Sequence, residues 1–327
     1  MFRIAAGRQP VKSPQNHMAQ MKTVLITGAN AGLGKESARQ LALLESTERV
    51  YLGCRNLEKA EAAKTELERS TGRRVFEILQ IDVMDLDSVR AAVDALSAPL
   101  DGLIMNAGGI GGPTPHAKTK EGSTHVFAVN VLGHALLADE LLAARKLEGV
   151  AMYAGSESSR GVDKLRMKRP VFATSSPDEL ASVIDGTWSG GEHTAMAAYA
   201  ASQYVAALWI GSMARRHPTI RFVTMSPGGT SGTAGTDGMQ GILRILMKYI
   251  GIPLVTAFRL MHNVETGAAR YVDALTDERY ASGVFYGATV DSTVGNVVDQ
   301  STILSDFSNE AFQDNAFEAI HRFLPPV

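Results

Sequence analysis

An α/β fold, with one doubly wound parallel sheet and helices on both faces, is predicted by three features of the chain. A strand-like run, Lys22-Thr23-Val24-Leu25-Ile26, feeds a glycine-rich turn, Thr27-Gly28-Ala29-Asn30-Ala31-Gly32-Leu33-Gly34, which opens into a helical pattern. Short apolar runs and helical stretches then alternate along most of the 327 residues, which favours parallel pairing through right-handed crossovers. Apolar residues at 45% and charged residues at 20% fit a chain able to bury one large core. The expectation is a single Rossmann-type domain over residues 21–327 with a lid-like insert.

The elements follow in order. Helical periodicity over 33–44 leads to a strand at 49–54, a charged helix at 56–69, a strand at 74–81, a helix at 85–96 and a strand at 101–106. A helix near 122–142, a strand near 150–154, a helix at 195–215 and a strand at 220–226 extend the pattern, and a last strand is expected at 283–286. Two stretches break it. Residues 160–198 carry basic residues, two prolines, Trp188 and Gly190-Gly191 without a clean period. Residues 228–263 open with glycine and threonine and continue into an apolar helix around 242–247. Long irregular stretches in a compact domain serve as lids or binding loops, and a peripheral helical insert is the competing reading. Trp188, Met196, Tyr204 and Met225 are candidates for the wall of an apolar pocket or for ordinary core.

Residues 1–20 contain Arg3, Arg8 and Lys12 without an acid and lack the apolar core of a secretory signal, so a disordered extension is expected there. A net charge of -2 offers no electrostatic reason for binding nucleic acid or an anionic membrane. No membrane span is read from the hydropathy, and a cytoplasmic protein is expected. The single cysteine, Cys54, excludes an intramolecular disulfide and is assigned a packing role at the end of the second strand. His116, His125, His134 and His193 are scattered without metal-ligand spacing, so no metal site is expected.

A strand, a glycine turn and a helix in succession form a cradle for pyrophosphate. The glycines let backbone turn tightly and approach the phosphates, and the first helical turn aims unpaired N–H groups and a partial positive charge at them. The cofactor contacts expected here come from Gly28, Asn30, Gly32, Leu33 and Gly34.

Further segments fall in a recognisable order: Asp82-Val83, Asn106-Ala107-Gly108, Asn130, Gly155-Ser156, Tyr199-Ala-Ala-Ser202-Gln203 and Pro227-Gly228. Together with the glycine turn, this set resembles the short-chain dehydrogenase/reductases over most of residues 22–290. Gly32-Leu-Gly-Lys-Glu-Ser-Ala, Cys54-Arg55-Asn56 and the long stretch between Ser156 and Tyr199 are similar to the retinol dehydrogenase and light-dependent protochlorophyllide reductase branch. No cysteine stands near the insert, which argues against protochlorophyllide reduction itself.

The resemblance implies a nicotinamide cofactor. An acid after the second strand would accept from both adenosine ribose hydroxyls and select NAD(H); Arg55 stands there, and a guanidinium fits a 2′-phosphate, so NADP(H) is expected. Lys35 could add charge or be a solvated helix residue. Asp82 and Val83 match the pair that holds adenine, with Asp82 otherwise a helix cap. Asn106, Ala107 and Gly108 match the ribose-positioning segment, and Pro227, Gly228 and Thr230 the loop over the nicotinamide. The family's threonine falls at Gly232, leaving Thr230 or Thr233 for the carboxamide.

Tyr199, Ser156 and Asn130 match the proton donor, the residue that bonds the substrate oxygen and the anchor of a relay water. Tyr199 and Gln203 lie four apart, on one face of a helix. The family carries a lysine where this chain has Gln203, and its ammonium holds ribose and stabilises the tyrosine phenolate. Glutamine keeps hydrogen-bonding capacity without charge. The expectations are an NADP(H)-dependent oxidoreductase acting on a small apolar carbonyl, alcohol or activated alkene, a nucleotide-binding regulator with impaired chemistry, or an engineered replacement at 203. The resemblance allows a homo-oligomer.

Overall fold

The computed structural model describes residues 19–230 and 261–327. The expected extension over residues 1–18 and most of the 228–263 stretch, including its apolar helix, Gly232 and Thr233, lie outside the described residues. At its start the described chain is already anchored: the Ala19 N–H donates to the Thr276 carbonyl at 2.9 Å, so expected disorder does not reach residues 19 and 20.

Numbered among the described residues, the elements are β1 (Thr23–Thr27), α1 (Gly32–Ala42), β2 (Arg49–Cys54), α2 (Leu57–Thr71), β3 (Phe76–Gln80), α3 (Leu86–Ala95) and β4 (Leu100–Met105). After them come α4 (His125–Ala143), β5 (Leu147–Ala154), α5 (Pro177–Asp185), α6 (Ala195–Arg216) and β6 (Arg221–Met225). The chain closes with α7 (Val264–Thr276), β7 (Phe285–Ala288), β8 (Val297–Asp299) and α8 (Glu310–His321). The strands form one sheet in the order β3-β2-β1-β4-β5-β6-β7-β8. Strands β1 to β7 are parallel, as expected for a Rossmann-type sheet, but β8 is antiparallel to β7, pairing Tyr286 with Asp299 and Ala288 with Val297. The sequence reading stopped one strand short because Val297–Asp299 has three residues and no alternation to detect.

Both faces of the sheet are covered, so its central strands are apolar throughout rather than alternating. One core layer joins Val24, Ile26, Leu52 and Ile104 to Ala38 and Leu41 of α1 and to Tyr271 and Leu275 of α7. The other joins Leu25, Leu103 and Tyr153 to Val89, Leu136, Tyr204 and Trp209 from α3, α4 and α6. Helix α4 has a mean hydropathy of 1.5, enough in length and composition to cross a membrane, yet 72% of that window is buried inside the protein. Packing against α3, β5 and α6 accounts for its apolarity.

The 160–198 stretch is built rather than open. It contains a bridge between Val162 and Met167 and the helix α5, which is capped by Ser176 and by Pro177 in its first turn. It docks through Phe172, whose ring lies 4.9 Å from both Trp188 and Tyr204. Tyr204 and Met225 are core residues, while Met196 is 53% exposed.

Where α4 crosses the end of β3, a β-carbon on Gly133 would lie 1.9 Å from the Val83 carbonyl oxygen. That backbone cannot yield without moving the Asp82-Val83 turn. Gly133→Ala is therefore expected to cost about 1–3 kcal/mol of stability, read as a lower urea midpoint at unchanged slope.

Candidate active site

The phosphate cradle is set by close backbone approach at the carboxyl ends of β1 and β4. Gly28 takes φ +68°, and a β-carbon there would meet Ala107 Cα and Asn106 Nδ2, each at 3.1 Å. A β-carbon at Gly34 would lie 2.5 Å from the Gly28 carbonyl oxygen. Helix α1 then begins after Ala31 with no side-chain cap and no acid in its first turn, so its N–H groups and positive end face outward unneutralised. Asn30 and Leu33 are half-buried on this turn. Cys54 is buried beneath it, and burial pushes the thiol up to about 11, with the Ala29 and Asn30 backbone opposing the shift. That is the expected packing role.

One hydroxyl joins the cradle to the next strand. Thr27 Oγ1 accepts from the backbone N–H groups of Asn106 and Ala107, both at 2.9 Å, while Asn106 Nδ2 donates to the Thr27 carbonyl at 2.9 Å. With two donors already on it, Thr27 gives its own proton to His134 Nε2 at 2.9 Å, and His134 Nδ1 donates to the Asn130 carbonyl at 2.8 Å. This assignment fixes a neutral Nδ1–H tautomer. His134 is fully buried, which holds its pKa down at about 4. Sequence reading left His134 among scattered histidines; its place one helical turn after Asn130 was the available signal.

Asn130 sits in a π-helical turn of α4, Ala128–Leu132, where the widened backbone frees its carbonyl. That carbonyl accepts from His134 and also from the Tyr153 hydroxyl at 3.2 Å. The Asn130 side chain accepts from the Gly109 N–H at 3.0 Å and donates to the carbonyls of Gly109 and Val126. Its amide is thus committed to holding the Gly109 backbone.

Tyr199 and Gln203 emerge from the first turns of α6, which Thr194 caps through the Ala197 N–H. Tyr199 and Ser156 are both half-buried. Burial raises the Tyr199 pKa, with the Ser156 side chain opposing and the Glu157 charge reinforcing the shift. Gln203 is 2% exposed; Nε2 donates to the Tyr153 hydroxyl at 3.2 Å, and its Oε1 has no hydrogen-bond partner among the described residues. A buried acceptor left open costs about 1–3 kcal/mol unless another group meets it.

Next to Ser156 stands a carboxylate that sequence reading passed over. Glu157 is 3% exposed; Oε1 accepts from the Ala288 N–H at 2.9 Å and Oε2 from the Ser226 hydroxyl at 2.5 Å. Ser226 Oγ in turn accepts from the Gly228 N–H at 3.0 Å. The buried Arg160 and Arg270 lie within electrostatic reach of Glu157. Glu157 therefore ties the Ser156 turn to the Pro227-Gly228 loop. The Thr230 hydroxyl turns back onto the Gly228 carbonyl at 3.1 Å.

The adenosine end is more open. Arg55 is exposed after β2 and makes no hydrogen bond or ion pair with the described residues, whereas Lys35 is bound to Glu66 at 2.7 Å. Asp82 is not the cap of α3; Asp85 is, through the Asp87 N–H. Asp82 Oδ1 accepts from the Met84 N–H at 3.0 Å, and Val83 is buried beside it. Gly108 is exposed, while Ala107 is half-buried.

The His134 environment predicts a specific acid sensitivity. Above its ordinary pKa of 6.5 the imidazole is neutral in folded and unfolded chains alike. As pH falls toward about 4 the unfolded chain takes up a proton that the folded chain refuses, so stability drops by about 3 kcal/mol. Urea midpoints measured from pH 7 to pH 4 should show this fall, and His134→Gln should flatten it while lowering the plateau.

The family model for short chain dehydrogenases matches residues 22–160. Human retinol dehydrogenase 11 is 40% identical over 124 residues, 37% of this chain and 38% of that protein. Human retinol dehydrogenase 13 is 32% identical over 203 residues, 60% of this chain and 54% of that protein. The matched part thus spans between about two fifths and one half of these curated relatives. Among solved structures, salutaridine reductase from Papaver somniferum superposes with a TM-score of 0.60 at 18% identity, covering 82% of this chain and 100% of that one. NADPH-bound carbonyl reductase from chicken fatty liver gives 0.54 at 20% identity, covering 82% and 96%. These structural likenesses concern the fold. The glycine turn and the Asn106-Ala107-Gly108 segment lie within the matched residues, so residues 22–160 are similar to short chain dehydrogenases and, among curated proteins, to retinol dehydrogenases.

Proposed function

We propose that the protein is an NADP(H)-dependent oxidoreductase acting on an apolar carbonyl or alcohol, or on an activated alkene. The observation that carries this reading is the glycine cradle and uncapped helix N-terminus at the carboxyl edge of the sheet, together with the packing of α6, which carries Tyr199, against the turn that follows Ser156. The residues fit the cofactor on two counts: side chains are excluded at Gly28 and Gly34, and Gln203 Oε1 is a buried acceptor awaiting a hydroxyl. The backbone of Gly28 to Gly34, with Asn30 and Leu33, would hold the pyrophosphate, and Arg55 the 2′-phosphate. Asp82 and Val83 would hold adenine, Asn106 to Gly108 the ribose on that side, Tyr199 and Gln203 the nicotinamide ribose, and Pro227, Gly228 and Thr230 the nicotinamide face.

When bound, the reduced cofactor supplies hydride. Tyr199 donates the proton to the substrate oxygen, and Ser156 holds that oxygen as charge develops on it. Asn130 acts by fixing the Gly109 backbone. The names of the relatives make a retinoid aldehyde or alcohol the first substrate to assay.

NADPH titration followed by nicotinamide fluorescence is expected to saturate. Tyr199→Phe should bind NADPH normally yet lose at least about 100-fold in kcat, and normal turnover by that variant would remove Tyr199 from the chemistry. Arg55→Asp should weaken NADPH about 10- to 100-fold with little effect on NADH, a ratio read directly from paired titrations.

A further inference from the structure

We infer that Tyr153 is a positioning residue for the cofactor: its hydroxyl fixes which way round the Gln203 amide sits, and so which groups that amide offers to the nicotinamide ribose. The identity of the ligand rests on the oxidoreductase reading, while the orientation of the amide stands on hydrogen bonds within the protein.

Protons along this set of bonds can be assigned from the groups that only donate or only accept. The N–H groups of Asn106 and Ala107 both donate to Thr27 Oγ1 at 2.9 Å, which leaves the Thr27 proton for His134 Nε2 at 2.9 Å. His134 Nδ1 then donates to the Asn130 carbonyl at 2.8 Å. A carbonyl oxygen only accepts, so the Tyr153 hydroxyl, 3.2 Å from the same oxygen, spends its single proton there. Toward Gln203 the hydroxyl is therefore an acceptor. Nε2 meets it at 3.2 Å; a flipped amide would set Oε1 against an oxygen with no proton between them.

Tyr153 has no freedom to adapt to a flipped amide. It lies on β5 between Met105 of β4 and Thr224 of β6, is 1% exposed, and meets the rings of Trp209 and His134 edge-on at 6.4 and 6.2 Å. A tyrosine kept only to fill this core would need one partner for its hydroxyl, and Asn130 supplies that partner. The bond from Gln203 is a second one.

With one N–H fixed on Tyr153, the Gln203 amide keeps its other N–H and its Oε1, which has no partner among the described residues although the side chain is 2% exposed. One donor beside one acceptor complements two neighbouring hydroxyls, one accepting and the other donating. A carbonyl would meet only half of that pattern. The ribose assigned to Gln203 under the proposed function is such a vicinal diol. Gln203 follows Tyr199 by one turn on the same face of α6, so an amide held in this sense orients the ribose relative to the Tyr199 phenol. Neither edge of the amide carries charge, so the hold depends on the amide being the right way round.

The test pairs Tyr153→Phe, which keeps the ring and removes the hydroxyl, with Gln203→Met, which keeps the length and removes the amide. In fluorescence titrations NADPH should bind each single variant about 3- to 10-fold more weakly than wild type, and the double variant no more weakly than Gln203→Met alone. In turnover the Tyr153→Phe defect should fall on the KM for NADPH, with kcat within about twofold of wild type. Unchanged NADPH affinity in a folded Tyr153→Phe protein, or losses that multiply in the double variant, would overturn the inference. A readout that needs no cofactor and no variant of Tyr153 is magnetic resonance of the cofactor-free wild-type protein, where the Gln203 side-chain NH2 should show Overhauser contacts to the Tyr153 ring protons. Their absence would equally overturn it. Failure of the wild-type protein to bind NADPH would instead sink the oxidoreductase reading, and the Overhauser contacts would still decide the orientation of the amide.

Discussion

The close approach of the first strand-to-helix turn to the end of β4 is the constraint on which the site depends. Gly28 and Gly34 leave no room for β-carbons, and the Thr27 hydroxyl holds the Asn106 and Ala107 N–H groups where the two strands part. At this point the strand order reverses direction, because β2 and β3 lie on one side of β1 and β4 to β8 on the other. A crevice forms there by topology, and the glycines keep it lined with backbone. The same hydroxyl reaches His134, so the cradle, β4 and α4 are joined through one buried node.

From that node the order passes along α4 to the chemistry. The π-turn frees the Asn130 carbonyl for two donors, His134 and Tyr153, and Tyr153 in turn receives Gln203. Cradle and α6 are therefore connected by hydrogen bonds among buried groups, where each unmet partner is costly. Glu157 makes the second connection, from the Ser156 turn to the Gly228 loop. Burying that carboxylate together with Arg160 and Arg270 needs full satisfaction of all three, which the carbonyls around Gly161, Ser226 and Ser292 and the Ala288 N–H provide. The network orders the very loops that a ligand would touch.

Much of the fold was legible from local pattern. The alternation through β6 and the helix positions follow from periodicity, and the glycine turn follows from its strand and helix context. What escaped reading has identifiable reasons. Strand β8 is too short to show a period, and α5 and α7 sit in or beside stretches whose composition is irregular. Glu157 carries no sequence signal, since its partners Ser226 and Ala288 lie about 70 and 130 residues further on. His134 looked like a stray histidine because its partner Thr27 belongs to another strand.

The chain by itself determined the doubly wound sheet, the cradle and the shared helix face of Tyr199 and Gln203. These follow from spacings of a few residues, which backbone geometry converts into shared faces and turns. Tertiary structure decided the burial of Tyr199, the commitment of the Asn130 amide to Gly109, and the lack of a partner for Gln203 Oε1 among the described residues. Those properties depend on which distant groups meet in a buried, weakly screened space, and no local sequence pattern encodes that meeting.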